Sequence, residues 1–486
     1  MDGSRHSSRA ARKKRACAII SPAWRLIFAS TALKRRCHRS TDTSPVSKIG
    51  YSLYPLNWFR LGLIDKYTLH FIGISSALAG LWWGILSVAA FVLKKTMGAS
   101  NLEVTIFTML MPVTSIVAIF ATEWMRGRDK RAFIFWSGLI GRLPLAAMLF
   151  ISQSAPFLVL SALAFLSGAV ITPAMNSLLQ TNLTRSLLGK MYAVLGVIIT
   201  IAVIAATVFA GYALERDPNA YHWLFAAGGV LGFLSSTALA RARFRRSAFL
   251  GKRTLYLRHR PLKDVLHDSI VVPLRNNWAI LRKNRPFALF ERNFMIYGLA
   301  FMILLPVVPI FLVERLNIEY AQVGIALGIF SQVGTLVLLP VFGYIYDRLH
   351  PVSFSRWVFV ILGFFPLTLL FSLPLSALTG TDPIFWVFIA YLIFGFGMAG
   401  VQIVWMLAAI FFARAEDSAP YSGIHVTLVG VRGLIGPLAG YTINEIWGAC
   451  VVFIVGAVLF WIATILMWKL CLDIRSGRVA EMSAQS

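Results

Sequence analysis

The chain has 486 residues, of which 58% are apolar and only 14% are charged. A soluble protein of this length could not hide so much apolar surface in its core, so the composition excludes a soluble globular protein and favours an integral membrane protein. The net charge of +26 is spread between apolar segments along the whole chain, which argues against nucleic acid as the partner.

Residues 1–66 differ from the rest of the chain because they are rich in arginine and serine. Their apolar stretch, Cys17–Leu33, is interrupted by Pro22 and Arg25, so it fits neither a signal peptide nor a membrane span. We interpret 1–66 as a basic, disordered arm with an interfacial lead-in. An organellar transit peptide and sequence upstream of the natural start are the alternatives.

Twelve apolar segments are long enough to cross a bilayer, whose core of ~30 Å requires about 20 helical residues. The predicted spans are 68–93, 103–121, 132–151, 156–179, 191–213, 222–240, 288–312, 321–342, 357–377, 385–412, 421–443 and 448–470. They predict an all-α integral membrane protein with 12 transmembrane helices in two six-helix halves. The halves are 67–240 and 288–472, joined by a basic connector at 241–287 and followed by a tail at 473–486.

The basic residues are distributed unequally between the two sides of the membrane. With both termini placed inside, the outer loops carry only Lys94, Lys95, Arg216 and Arg315. This asymmetry follows the positive-inside rule and predicts cytoplasmic termini. We expect a multi-pass protein of a bacterial inner (plasma) membrane, with the anionic lipids of the inner leaflet as partners of its basic segments.

The two predicted halves share short sequence matches at equivalent spans. Gly141-Arg-Leu-Pro144 in span three matches Gly363-Phe-Phe-Pro366 in span nine, and Ala210-Gly-Tyr212 in span five matches Ala439-Gly-Tyr441 in span eleven. Two repeats related by an axis along the membrane normal would give such a pattern.

The loop after span eight holds Gly343-Tyr-Ile-Tyr-Asp347-Arg348. This motif resembles the loop signature of the major facilitator superfamily. The resemblance implies two six-helix halves that expose a midplane site alternately to each side. It also implies a gating role, in which Gly343 allows close helix approach, Asp347 faces the start of span five near Lys190, and Arg348 binds nearby carbonyls or acids.

The first half carries a degenerate copy of this motif in the loop after span two, Glu123-Trp-Met-Arg126-Gly127-Arg128-Asp129. The copy lacks an Asp-Arg pair at the family's spacing, so Glu123 and Asp129 remain alternatives for the acidic role, beside Arg128. Span eleven contains Gly436-Pro437-Leu-Ala-Gly440, similar to a motif that antiporters of the family carry in span five. Because span five lacks it here, the pattern argues against an antiporter.

Charged residues within spans are candidates for function because each costs about 2.5–3.5 kcal/mol at a helix centre. Arg432 lies in the middle of span eleven and Arg142 in the middle of span three, and no Asp or Glu lies deep in a predicted span. We expect Arg432 to meet an anionic substrate; the alternative is that it binds backbone carbonyls, water or Glu123. For Arg142 a structural role is favoured, because span three is usually peripheral in the family.

His425 lies seven residues before Arg432, on roughly the same helix face. Histidine exchanges a proton near neutral pH, so His425 is a candidate for proton coupling, with a structural role as the alternative. Uniport and coupling through substrate charge also remain open. The resemblance implies that spans 1, 4, 7 and 10 line the cavity. Their polar and aromatic candidates for substrate binding are Trp82, Trp83, Asn176, Tyr297, Gln402 and Trp405.

Motifs for chemistry are absent from the sequence. There is no nucleotide-binding G-x-x-x-x-G-K-[ST] loop and no H-E-x-x-H motif, and the four cysteines have no metal-ligand spacing. We therefore expect no enzyme activity, no cofactor and no metal. The sequence favours a secondary transporter of a small organic solute, with an anion as the preferred class and a coupled proton or other ion as an option. The alternatives are a sensor or binding protein of the same fold without transport, and a membrane-embedded transferase.

Overall fold

The computed structural model describes residues 63–125, 128–182, 185–242, 272–413 and 418–479. Every regular element within these ranges is a helix. The arm before residue 63, residues 243–271 of the connector and the end of the tail lie outside the described residues. The interpretations given above for those segments therefore stay predictions.

The N-terminal half consists of helices that cover the residues of the first six predicted spans. They are α1 (Leu63–Ser87), α2 (Ala89–Lys95), α3 (Asn101–Thr114), α4 (Val117–Trp124), α5 (Lys130–Ser137), α6 (Ser154–Asn182), α7 (Arg185–Arg216) and α8 (Tyr221–Ala240). A π-helix, Gly138–Arg142, and a 3₁₀-helix, Leu143–Phe150, continue α5 through span three.

The C-terminal half repeats this arrangement after an additional helix at the end of the connector. Its helices are α9 (Val272–Lys283), α10 (Arg285–Glu314), α11 (Tyr320–Gly324), α12 (Gln332–Tyr346), α13 (Pro351–Leu370), α14 (Ser372–Thr379), α15 (Pro383–Ala413), α16 (Ser418–Trp447) and α17 (Ala449–Arg475). A second π-helix, Ile325–Ser331, joins α11 to α12 within span eight.

Eleven helices in the described part of the chain are long and apolar enough to cross a membrane. The predicted second span is not one of them, because it is divided into α3 and α4 around Ser115. Pro112 removes a backbone donor near the end of α3. The hydroxyls of Thr114 and Ser115 also donate to the carbonyls of Leu110 and Met111, at 2.7 and 2.9 Å. A continuous helix through 103–121 was therefore a wrong expectation, and the count of twelve spans stays a prediction.

The seventh span begins earlier than the sequence suggested. Helix α10 starts at Arg285, inside the predicted connector, and Asn284 caps it by accepting a hydrogen bond from the Phe287 backbone at 3.1 Å. Pro286 occupies the first turn, where its missing donor costs nothing. This earlier start places the residues of the first two turns deeper in the bundle than the predicted boundary implied.

The same helix pairs pack in both halves. Helix α1 packs against α7 and α8, while α10, six spans later, packs against α16 and α17. This repetition of contacts is the structural counterpart of the short sequence matches between the halves.

Glycines allow these helix pairs to approach closely. A Cβ on Gly84 of α1 would lie 2.6 Å from the Ala206 Cβ of α7, and a Cβ on Gly440 of α16 would lie 2.1 Å from the Ile303 carbonyl oxygen of α10. Both pairs rely on small residues four apart, Gly80 with Gly84 and Gly436 with Gly440. Membrane helices use this spacing because lipid supplies little driving force and close backbone contact must replace it.

Contacts between the halves are made mainly by α7 with α11 and its following π-helix and by α16 with α3, and also by α10 with α2 and α3. A Cβ on Gly211 of α7 would meet the Tyr320 carbonyl oxygen at 2.6 Å. On α16, Cβ atoms at Gly430 and Gly433 would meet Ile116 and Pro112 at 2.3 and 2.4 Å. Helix α16 thus touches the other half on one side while it packs on α10 on another.

The packing at Gly84 predicts that Gly84→Ala destabilises the protein. Overpacking of a close helix contact costs about 1–3 kcal/mol, so thermal unfolding in detergent should occur at a lower temperature. Gly168→Ala on α6 is the matched control, because its Cβ would have no neighbour within 4 Å. An equal melting temperature for the two variants would contradict this account.

Candidate substrate site

A cluster of polar and aromatic side chains lies between α10 and α16. Glu291, Phe294 and Tyr297 recur at three-residue spacing on α10, while His425 and Arg432 lie seven residues apart on α16. Both spacings keep the side chains on one helix face. All five are buried, and together they form what we call the α10–α16 cluster.

His425 is paired with a carboxylate that the sequence analysis missed. Its Nδ1 lies 3.1 Å from both carboxylate oxygens of Glu291, and the two side chains are only 7% and 4% exposed. Glu291 is therefore an acid buried in the bundle, although it lies only six residues after the start of α10. Glu291 falls three residues inside the predicted start of span seven, which suggested a surface position. The helix begins earlier, at Arg285, and packing against α16 covers the side chain.

Arg432 is held against the backbone of α10. Its Nη1 donates to the Phe294 carbonyl oxygen at 3.0 Å, and its guanidinium carbon lies 5.5 Å from the Phe294 ring centre and 5.9 Å from that of Tyr297. Gly298 makes this position possible, because a Cβ there would lie 2.0 Å from Nη1. The carbonyl contact foreseen as an alternative is therefore present, and a contact with substrate stays a prediction.

Aromatic rings enclose the His425 end of the cluster. The Phe294 ring meets the imidazole edge-on at 4.9 Å, and Trp405 of α15 lies 5.8 Å from it. Tyr297 stacks on Phe359 of α13 at 4.4 Å. Trp405 is 47% exposed, so it borders the cluster while presenting another face outward. Burial among rings lowers the local polarity and strengthens the electrostatic interactions of the charged groups.

Two further predicted substrate contacts, Gln402 and Asn176, are exposed and do not belong to this cluster. Gln402 is exposed on α15, one turn before Trp405. Asn176 is exposed on α6 in the N-terminal half. Tyr297 and Trp405 are thus the two aromatic candidates that the fold brings together with Arg432 and His425.

Trp82 belongs to a different buried group. It is fully buried, and the guanidinium of Arg142 lies 4.4 Å from its ring centre. Arg142 also donates to Ser167 Oγ at 3.1 Å and to the Gly232 carbonyl oxygen at 3.2 Å. Trp82 is therefore covered in this structure, and its place among the substrate contacts stays a prediction. Trp83 meets it edge-on at 4.6 Å and lies 5.9 Å from the Phe165 ring.

The gating motif after span eight makes only local contacts within the described residues. Arg348 donates from Nη1 to the Tyr344 carbonyl oxygen at 3.1 Å and lies 3.4 Å from that ring centre, and Asp347 is exposed. A Cβ on Gly343 would have no neighbour within 4 Å among the described residues, and the predicted close approach to the start of span five stays a prediction. The side chain of Lys190 lies outside the described residues, and the predicted contact with Asp347 is untested.

In the degenerate copy of the motif, Asp129 caps helix α5. Its carboxylate accepts hydrogen bonds from the backbone and guanidinium of Arg131, at 3.0 and 2.7 Å, and these bonds hold its pKa below the usual value. Arg128 is exposed, and Glu123 lies in α4 with its side chain outside the described residues. Asp129 thus has a structural role at the helix start, and the choice between the two acids for gating stays open.

A network of polar contacts joins the two halves at the end of the bundle that carries the loops after spans one, five, seven and eleven. Lys94 forms an ion pair with Glu314 at 2.6 Å, and Lys95 donates to the Ile318 carbonyl oxygen at 2.6 Å. These two lysines are among the few basic residues predicted in outer loops, and each contacts a residue of the other half. We call this network the end latch.

The end latch also includes helix α11. The Glu215 carboxylate accepts a hydrogen bond from the Tyr320 backbone at 2.6 Å, at the helix start where negative charge is favoured. The Tyr320 hydroxyl forms a hydrogen bond with Thr96. Asn101 donates to Glu445 at 2.8 Å. Each contact pairs one residue from each half, so separating the halves at this end would break all of them.

The sequence of this chain matches a known protein family. The family model described as Major Facilitator Superfamily matches residues 72–437 and 293–482. The chain belongs to the major facilitator superfamily. The resemblance inferred from the loop motif is therefore confirmed, as are the helical fold and the class of membrane transporter. No curated protein matches the chain significantly in sequence.

Solved structures of transporters share the fold at low sequence identity. A mutant of the nucleoside transporter NupG has 11% identity and a TM-score of 0.64, covering 83% of this chain and 99% of its own. The peptide transporter POT in complex with alafosfalin has 15% identity and a TM-score of 0.61, with 89% and 97% covered. A bacterial homologue of the human lysosomal transporter Spinster, in an inward-facing and unoccupied conformation, has 12% identity and a TM-score of 0.59, with 86% and 98% covered.

The cradle formed by Gly298 predicts that Gly298→Ala displaces Arg432. The added methyl group would occupy the position of the guanidinium, which would lose its bond to the Phe294 carbonyl. A buried unpaired charge costs several kcal/mol, so a large fall in melting temperature is expected. Gly423→Ala on α16, where a Cβ meets nothing within 4 Å, should melt like the wild type. Equal melting of Gly298→Ala and Gly423→Ala would show that Arg432 does not depend on this space.

Proposed function

We propose that the protein is a secondary active transporter that moves a small organic solute by alternating access between its two six-helix halves, 67–240 and 288–472. The observation that carries this proposal is the end latch. It joins the halves at one end, whereas the described residues of the motif at the opposite end, Asp347 and Arg348, make only local contacts. Alternating access requires a closed end and an end able to open, and rocking of the halves would exchange them.

We further propose that the latch end faces outward. The short loops at this end carry few basic residues, and both termini and the connector lie on the other side by the positive-inside rule. In a bacterial inner membrane this orientation would set the basic segments against anionic lipid of the cytoplasmic leaflet. Asp347 would then act in the state that closes the cytoplasmic end.

The α10–α16 cluster is the proposed binding site. Arg432 supplies a positive charge at the middle of span eleven, which supports an anionic solute as the substrate class. Trp405 and Gln402 on α15 would contribute an aromatic face and an amide beside it. The relatives of known structure act on nucleosides and peptides, which are also small organic solutes. The His425–Glu291 pair supports coupling to a proton rather than uniport.

The substrate proposal predicts that anions stabilise the wild type and not Arg432→Gln. A ligand bound only to the folded state raises its stability by RT ln(1 + [L]/Kd), about 2.7 kcal/mol at a hundredfold excess over Kd. A thermal-shift screen of purified protein against solutes sorted by charge measures this. An equal response from the variant would remove Arg432 as the anchor, and solute counterflow in liposomes would then test transport itself. Ligand binding without counterflow would favour a sensor of the same fold.

The end latch predicts energetic coupling between Lys94 and Glu314. Each single change, Lys94→Gln or Glu314→Gln, should lower stability, and the exchange Lys94→Glu with Glu314→Lys should restore part of the loss. Partly exposed ion pairs contribute up to about 1 kcal/mol, so a double-mutant cycle on thermal unfolding is the measurement.

The control for this cycle is Arg315→Gln, which removes a neighbouring exposed cation that makes no ion pair among the described residues. It should leave both stability and counterflow unchanged. Additive effects of the Lys94 and Glu314 changes would mean that the latch does not hold the halves together.

A further inference from the structure

The α10–α16 cluster contains two buried polar atoms without a hydrogen-bond partner among the described residues, His425 Nε2 and Arg432 Nε. Both side chains contact the Phe294 ring. Their positions on α16 are about 10 Å apart along the helix axis and on the same face. Buried polar groups normally have partners, so these two groups on one face are both available to bind a ligand.

The hydrogen bond to Glu291 determines which nitrogen of His425 is available. An ionised carboxylate only accepts, so the imidazole donates from Nδ1. In the neutral imidazole Nε2 then carries a lone pair and cannot donate. A further proton would bind at Nε2, on the side of the ring away from Glu291, and would convert Nε2 into a donor. Glu291 is thus a positioning residue that fixes where the proton is received.

The charges of the cluster link this proton to an anion. With neutral His425, the charges of Glu291 and Arg432 cancel. Binding a monoanion would leave a net negative charge in a buried site, which is strongly unfavourable. A proton on Nε2 restores neutrality and adds a second donor for the anion.

The cluster and the rings packed around it come from four helices. Glu291 and Tyr297 lie on α10, and Arg432 lies on α16. Phe359 of α13 packs against Phe294, and Trp405 of α15 lies beside the imidazole; neither side chain titrates. The charge balance among the described residues is therefore determined by Glu291, His425 and Arg432.

We propose that the cluster binds an organic monoanion between His425 Nε2 and Arg432 Nε, and that it takes up one proton at Nε2 as it does so. This inference deepens the proposed function, on whose site it rests. It identifies the substrate class as small weak acids, for example carboxylates. One proton and one anion would cross together, so the movement would be electrically neutral. Each ligand raises the affinity for the other, because linkage is reciprocal.

Calorimetric titration of the purified full chain tests this proposal. The probes are acetate, lactate and benzoate, each compared with its uncharged amide. Titrations in two buffers of different ionisation enthalpy measure the protons taken up. We expect one proton per carboxylate bound, and affinity that falls by up to tenfold per pH unit on the alkaline side. The amides should show no proton uptake.

Three variants distinguish the roles within the cluster. His425→Gln should abolish proton uptake and weaken carboxylate binding at every pH. Glu291→Gln removes the charge that cancels Arg432, so carboxylates should bind at pH 8 more tightly than to the wild type, with less proton uptake. Arg432→Gln should bind no carboxylate. His70→Gln is the control, since His70 is exposed and stacks edge-on against Phe71; it should behave as the wild type.

Carboxylate binding without proton uptake in the wild type would overturn the proposal, as would failure of every carboxylate to bind. Loss of binding at pH 8 in a folded Glu291→Gln protein would do the same. A variant that shows no cooperative melting is not folded, and the proposal is then decided by the proton uptake of the wild type alone.

Counterflow in liposomes separates this inference from the proposed function. Counterflow of uncharged amides without proton uptake would overturn the inference and retain transport. Proton-linked binding without counterflow would overturn transport and retain the inferred site.

Discussion

The need to neutralise buried charge between α10 and α16 determines the local structure around it. Arg432 lies in the middle of a membrane helix, where an uncompensated charge is expensive. The Phe294 carbonyl oxygen accepts a hydrogen bond from the guanidinium, and aromatic rings lie against it. Gly298 leaves room for the guanidinium. Glu291 supplies the opposite charge through His425. A change to any one of these residues alters the environment of the others, so the cluster acts as a unit.

Close backbone packing holds each half together around such polar groups. Lipid gives apolar side chains little reason to associate, so stability depends on close contact between helices. Glycines provide this contact in both halves, on α1 where it packs against α7 and on α16 where it packs against α10. Contacts between the halves combine glycine packing with the end latch, which consists largely of polar bonds near the loops. Polar bonds that water can replace are easier to break and remake than glycine packing.

Hydropathy predicted most of the helices, because the cost of burying polar backbone in lipid is expressed in long apolar runs. The loop motif added the family, and Arg432 and His425 indicated the helix that carries the proposed site. Glu291 was missed because a boundary error of three residues changes a buried acid into a surface one. The division of span two was missed because hydroxyl bonds to the backbone leave no hydropathy signal. Partners such as the Phe294 carbonyl arise only from tertiary packing.

The contacts of α16 on its two sides have a mechanical consequence. Gly430 and Gly433 bring this helix against Ile116 and Pro112 of the other half, next to the interruption in span two. The helix that carries Arg432 therefore also packs directly against the opposite half. A small rotation of α16 caused by a change in charge at the cluster would shift its contacts with span two at the interruption between α3 and α4. Movement of α16 would then link the charge state of the cluster to the relative position of the two halves.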